Sequence, residues 1–255
     1  MTTRRTFLRT AAAMGTVTLL PFRLNAAGHS ADSFDTVNGA VTIHPIAHAS
    51  FVMETPAGVV YVDPVGDAVL YEDMPAADFI LITHEHGDHY NAETLAALAT
   101  EQTAMISNPA VYDMLPENLQ ALTTAIANGE SARAGEIGVE AIPAYNITED
   151  RLNFHPQGRD NGYVVSVDGL RVYISGDTED TPEMRALENI DVAFVCMNLP
   201  FTMDLNAAAS AVAEFAPTYV YPYHYRGRDG GTQDPEEFAS LLTSETEVKM
   251  GNWYS

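Results

Sequence analysis

A chain of 255 residues, 46% of them hydrophobic, is long enough for one large α/β domain with a buried core and too short for a second full domain beside it. Acidic residues outnumber basic ones 35 to 12, and four of the bases, Arg4, Arg5, Arg9 and Arg23, precede residue 27. Without residues 1–26 the formal charge is about −27, a body that repels polyanions and argues against binding nucleic acid or anionic membrane.

The chain opens on Arg4-Arg5-Thr6-Phe7-Leu8, continues through a modestly apolar stretch at 11–22 and exits through Leu24-Asn25-Ala26-Ala27. Paired arginines before a short apolar core resemble a twin-arginine export signal. The expectation is removal of residues 1–26 after passage through the twin-arginine machinery, and a periplasmic or extracellular mature protein. No later apolar run reaches the ~18 residues of a membrane span. Residues 27–40 read as a flexible mature N-terminus, and 41–255 as a single domain.

That domain starts with strand-like runs at 41–45, 50–54 and 59–63, the last two separated by the turn sequence Thr55-Pro56-Ala57-Gly58. A buried strand at 79–83 follows, then a histidine cluster, and Asn91 caps an alanine-rich helix to about residue 99. The second half repeats this grammar. Strands are expected at 138–144, 162–167 and 170–175, with Asp168-Gly169 as the hairpin turn between the last two. Helix 183–188, strand 191–197, helix 206–215, strand 218–223 and helix 235–242 complete the chain. Two runs of strands, each followed by α/β alternation, predict two facing sheets with helices outside, an αββα sandwich. The single cysteine, Cys196, lies in the apolar run 192–196, so no intrachain disulfide forms. It reads as a small buried hydrophobe, with a thiolate metal ligand as the alternative.

The hexapeptide His84-Glu85-His86-Gly87-Asp88-His89 follows the apolar strand at 79–83. In an extended segment residues two apart share a side, so His84 and His86 can address one cation. Gly87 would permit a sharp turn, after which Asp88 and His89 face a second position. Asp177 and His224 also fall at strand ends. A carboxylate there can bridge two cations, and a further imidazole can complete the second site, an N/O donor set that zinc favours.

The order of this block, the Gly176-Asp177-Thr178 and the late His224 resembles the metallo-β-lactamase superfamily. The branch it is most similar to holds ascorbate-6-phosphate lactonase-like proteins and the phospholipase D acting on N-acyl phosphatidylethanolamine. The likeness starts near residue 41 and includes His48-Ala49-Ser50-Phe51 and Val60-Tyr61-Val62-Asp63-Pro64. It implies two Zn2+ ions, with Mn2+ or Fe as alternatives. His84 and His86 would bind the first ion, Asp88 and His89 the second, with Asp177 bridging and His224 joining the second. The family pattern asks for a third histidine on the first ion. The strand end Pro143-Ala144-Tyr145-Asn146 has none, and His155 is the only histidine between the hexapeptide and Gly176, so it takes that place. Asp63 resembles a family aspartate that orients a ligating imidazole, and a turn aspartate before Pro64 is the competing reading.

His48 could contact substrate or protonate a leaving group, or it could be a hydrogen-bonded core histidine. With Asp88 and Asp177 it makes up the expected catalytic group. His29 and His44 read as structural or disordered. Tyr223, beside His224, could position substrate or simply pack. Arg159, Arg226 and Arg228 lie near presumed ligands and could form an anion site, or pair with neighbouring aspartates and order the loops. Two cations sharing a water would lower its pKa and present hydroxide to a carbonyl or phosphorus. The leading expectation is therefore an exported binuclear zinc hydrolase of a small-molecule ester, lactone or phosphodiester, with an anionic group on the substrate if the arginines bind it. The alternatives are an iron-dependent redox enzyme of the same fold and an inactive metal-binding protein.

Overall fold

The computed structural model describes residues 31–226, 233–243 and 245–254. The expected export signal at 1–26, His29 and Arg228 lie outside them. The first half runs β1 (Asp32–Asp35), β2 (Ala40–Ala47), β3 (Ser50–Thr55), β4 (Gly58–Val62), β5 (Phe79–Ile82), α1 (Ala92–Leu98), β6 (Ala104–Ser107), α2 (Pro109–Met114), α3 (Glu117–Gln120) and β7 (Thr123–Ala125). The second runs β8 (Ser131–Ala134), β9 (Ile137–Ala144), β10 (Asp160–Val167), β11 (Leu170–Ile174), α4 (Pro182–Arg185), β12 (Val192–Cys196), α5 (Leu205–Phe215), β13 (Tyr219–Tyr223), α6 (Pro235–Leu241) and β14 (Glu247–Val248).

Each half makes a seven-stranded sheet with its strands in sequence order. In both, the first four strands pair antiparallel and the rest parallel. Short turns join most of the first set, with Asp168 and Gly169, both at positive φ, forming the one between β10 and β11, whereas residues 145–159 make a long loop between β9 and β10. Parallel neighbours need crossovers, which the helices supply.

The apolar run of β5 is buried on both faces. Phe79 and Leu81 join the core between the sheets, whereas Ile80 and Ile82 pack with Leu95, Val111 and Leu115 beneath the outer helices. Between the sheets Phe51 stacks on Phe194 at 4.0 Å, and Phe194 on Tyr221 at 4.8 Å. Asn91 caps α1 as expected, accepting from Thr94 N at 2.9 Å. Among the described residues no helix is long and apolar enough to cross a membrane.

Three expectations need correction. Residues 32–35, placed in a flexible segment, form β1, because Phe34 packs on Tyr219 at 4.8 Å and Asp32 accepts a hydrogen bond from Tyr221 Oη at 2.6 Å. Helix 183–188 shrinks to α4, whose chain turns away through Asn189 at φ 55° to enter β12. Finally β6, β7, β8, β14, α2 and α3 were not expected at all. They are two to six residues long, too short for a periodic pattern to emerge.

Candidate metal centre

The donors gather at the strand ends along one edge of the sandwich. His48 sits in the β2–β3 turn, Asp63 follows β4, the hexapeptide follows β5, Asp177 follows β11 and His224 follows β13. His48, Asp63 and His224 have φ of 53°, 43° and 47°, the left-handed region that non-glycine residues enter at a cost. The backbone holds all three there: His48 N donates to Trp253 O, Asp63 N to Leu81 O, and His224 N to His48 O.

The hexapeptide is a turn and not an extended continuation of β5, since His89 N and Tyr90 N both donate to His86 O. His84 and His86 therefore approach through different ring nitrogens, Nε2 of one lying 3.1 Å from Nδ1 of the other. Gly87 is not what makes the turn. Its φ is not positive, and a Cβ there would meet nothing within 4 Å. Gly176 is the glycine the site requires. It has φ +60°, and its Cβ would lie 3.0 Å from Asn161 O and 3.1 Å from Thr83 Cβ.

Donor atoms of His84, His86 and His155 lie within 4.8 Å of one another, as do those of His48, Asp88 and His224, and those of His84, His89 and Asp177. Asp177 faces both sides. Its Oδ2 is 3.5 Å from His155 Nε2, and its Oδ1 is 3.3 Å from His89 Nε2 and 3.5 Å from His224 Nε2. His224 Nε2 is also 3.3 Å from Asp88 Oδ2. Despite this proximity, Asp177 Oδ1, His89 Nε2 and His224 Nε2 are buried without a hydrogen-bond partner among the described residues. Buried polar atoms rarely stay unpaired. Lone pairs converging on a common space without bonding one another are what a cation needs, so the residues fit metal ions. The structure brings His155 to the position assigned to it, and it brings in His48 as well, beside Asp88 and His224.

The imidazoles are held from behind. Asp63, fully buried, accepts from Thr83 N and Thr83 Oγ1 at 2.7 Å each and lies 2.8 Å from His89 Nδ1. Thr83 Oγ1 is 3.0 Å from His84 Nδ1. Asp160 Oδ2 is 2.9 Å from His155 Nδ1, and Tyr254 Oη is 2.9 Å from His48 Nδ1. Of these supports only Asp63 is among the residues singled out from the sequence. Asp160 stands in the Gly158-Arg159-Asp160 tripeptide, whose arginine drew the attention instead.

Burial, reinforced by neighbouring imidazoles, holds the pKa of His84 well below that of a free histidine and lowers that of His86. Both then keep free lone pairs near neutrality. Burial alone would raise Asp177 and Asp88. The surrounding histidines outweigh it and hold both well below the usual carboxylate range. His89 moves the other way, because Asp177 and Asp63 overcome its burial and raise it well above its usual value. The two carboxylates that favour positive charge at His89 favour a cation in the same place.

A cavity of about 550 Å³ opens over these residues, lined by His48, His86, Asp88, His155 and Asp177, and beyond them by Phe154, Asn198, Phe201 and Arg226. Of the residues expected to contact substrate, Arg226 is at the cavity wall, its guanidinium 4.2 Å from the centroid of the Tyr254 ring. Arg159 is not. It donates from Nε to Asp160 Oδ1 at 2.6 Å and pairs with Glu85 at 2.9 Å, so it ties its loop to the hexapeptide. Tyr223 is not either. It is fully buried among Phe51, Phe194 and Trp253 and is part of the inter-sheet core. His44 pairs with Glu54 on β2 and β3, away from the site. Cys196 joins no donor group among the described residues, and burial pushes its thiol up to about 12.

Two facing mixed sheets with outer helices and a histidine–aspartate cluster at the strand ends define a metallo-β-lactamase sandwich. The sequence model of the beta-lactamase superfamily domain matches residues 42–224, and the chain belongs to this superfamily. A UPF0173 metal-dependent hydrolase of Anaeromyxobacter sp. strain K is 30% identical over 223 residues, covering 80% of this chain and 81% of that protein. Another, from Pyrococcus furiosus, is 30% identical over 215 residues, covering 80% and 92%. A crystal structure from Parabacteroides distasonis, classed as a metal-dependent hydrolase, is 39% identical with a TM-score of 0.79. It covers 89% of this chain and 100% of that one.

Proposed function

We propose that the protein is a binuclear zinc hydrolase that cleaves an ester, lactone or phosphodiester bearing an anionic group. The observation that carries this reading is Asp177, with Oδ2 turned to the His84, His86 and His155 group and Oδ1 to His89 and His224. The relatives named metal-dependent hydrolases support it. His84, His86 and His155 would hold one ion, Asp88, His89 and His224 the other, and Asp177 both. Metal ions held by these residues would supply Lewis acidity for activating a water and polarising the group under attack.

The chain's own residues do the rest. Asp63, Thr83 and Asp160 fix ring orientations from behind. With Tyr254 Oη as donor to His48 Nδ1, the His48 proton would sit on Nε2, 3.3 Å from Asp88 Oδ2 at the cavity wall, from which it could pass to a leaving oxygen. Arg226 at the cavity wall orients an anionic group by its forked donors. The test is elemental analysis of purified, folded protein, which should hold close to two transition-metal ions per chain, and none would overturn the reading. Export is proposed from Arg4-Arg5 and the modestly apolar stretch after them. Replacing both with lysine should trap precursor in the cytoplasm, and unchanged export would remove the proposal.

A further inference from the structure

Besides the candidate metal donors, the cavity wall contains a polar group with no assigned task. Asn198 follows β12 and is only 4% exposed. Its backbone is clamped by the turn after it: Phe201 N and Thr202 N donate to Asn198 O, at 2.8 and 2.9 Å, while Asn198 N donates to Thr202 Oγ1 at 2.9 Å. Its side-chain amide makes no hydrogen bond among the described residues, and Oδ1 is buried without a partner. An amide held this firmly and left unpaired carries a desolvation cost that a ligand would relieve.

Its neighbours on the wall are of two kinds. Phe154 and Phe201 meet edge to face at 5.1 Å, and Phe154 still has 37% of its surface exposed. The turn carrying Phe201 is tied down by Asn146 Nδ2, which donates to Phe201 O at 2.7 Å. Arg226, on its Tyr254 platform, makes no ion pair among the described residues and is, among them, the only guanidinium lining the cavity. Arg159 shows the contrasting arrangement, its guanidinium held by Asp160 and Glu85.

We infer that Asn198, Arg226 and the Phe154–Phe201 pair form a subsite for an amphiphilic anion. Its acidic group meets Arg226 and the Asn198 amide, and its acyl or aryl portion lies on the two phenylalanines. This rests on the hydrolase reading for its place in a reaction, and it narrows the substrate to anions carrying an apolar group beside the bond that is cut. A plain small anion such as inorganic phosphate would leave the aromatic pair uncovered.

Phenylphosphonate and methylphosphonate, which share a headgroup and differ in the apolar portion, serve as calorimetric probes of the metal-loaded protein. Wild type should bind phenylphosphonate at least about tenfold more tightly, the scale of burying one ring. Phe154→Ala, at a part-exposed position that folding tolerates, should bring the two affinities within about threefold of each other while sparing methylphosphonate. Arg226→Ala and Asn198→Ala should each weaken both probes by about five- to tenfold, the scale of one charge-assisted hydrogen bond. Equal affinities in wild type, a preference that survives Phe154→Ala, or unchanged binding in both polar variants overturns the subsite. Metal content measured on the same samples separates the two ideas. Two ions with no preference removes the subsite alone, and a preference without metal removes the hydrolase reading alone.

Discussion

Four donors leave the first half of the chain within one six-residue turn after β5, whereas the second half delivers its donors separately. Asp177 and His224 end two different parallel strands, and His155 arrives on the loop between β9 and β10. The two halves share one strand grammar, so the contrast is not one of architecture. It lies in how the donors are coupled. In the first half a single backbone turn, closed onto His86 O, sets four side chains at once. In the second each side chain has its own support, Gly176 for Asp177, Asp160 for His155 and the His48 carbonyl for His224. Changes at His155 and His224 should therefore have separable effects, and a change at Asp177, which serves both donor groups, should not.

Asp177→Ala tests this most severely, because that residue faces both donor groups. Metal content should fall from two ions per chain to near none, and His48→Ala should retain at least one. Equal retention by the two variants would show that Asp177 does not bridge. His155→Ala should lose one ion and keep the other, and Asp160→Ala should weaken the same ion about 10- to 100-fold through loss of ring orientation. Two tightly held ions in His155→Ala would remove it from the donor set.

The glycines give a sharper pair. Gly176→Ala should destabilise the fold by about 1–2 kcal/mol from its left-handed φ alone, with a further penalty from the close Thr83 and Asn161 contacts. Gly87→Ala should leave thermal stability unchanged within a few tenths of a kcal/mol. Matching melting temperatures for the two would refute the contrast.

Far from the site, Asp168 on the β10–β11 turn accepts hydrogen bonds from Thr36 Oγ1 and Asn38 N in the other half, at 2.6 Å each. Led by the Thr36 hydroxyl, these bonds lower its pKa. A depressed carboxyl contributes stability above its unfolded value of about 3.9, and the contribution fades as pH falls through the lower folded value. Asp168→Asn should show a slightly lower melting temperature at pH 7 and a difference that shrinks below about pH 4. A pH-independent difference would assign the effect to something else. The smallest expected effect is on Cys196, whose thiol should resist alkylation in folded protein and react only after unfolding.

The contrast between the halves also explains what could be read from the chain. His84 to His89 announce themselves because the donors are adjacent, and β5 because its residues are apolar on both faces. Tyr254 acts through a contact made across the fold, reaching His48 over 206 positions, and nothing local marks it. Thr83 and Asp160 lie close in sequence to the histidines they support, but a threonine or aspartate near a histidine is too common a pattern to single out. Tyr223 misled for a related reason. It adjoins His224, but alternation along β13 turns it into the core. Arg159 and Arg226 look alike in sequence, and only their surroundings separate a loop tie from a cavity wall.

The donor groups span the seam between the two halves, and this gives any ion held there a mechanical role. Joining the turn at His84–His89 to Asp177 and His224 closes a loop of some ninety or more residues, and such a link acts on the unfolded chain as a crosslink does. Stripping the metal should thus loosen the protein first along the seam. Amide hydrogens near the ends of β5, β11 and β13 should exchange faster, while those of the β2–β3 and β9–β10 pairs stay protected.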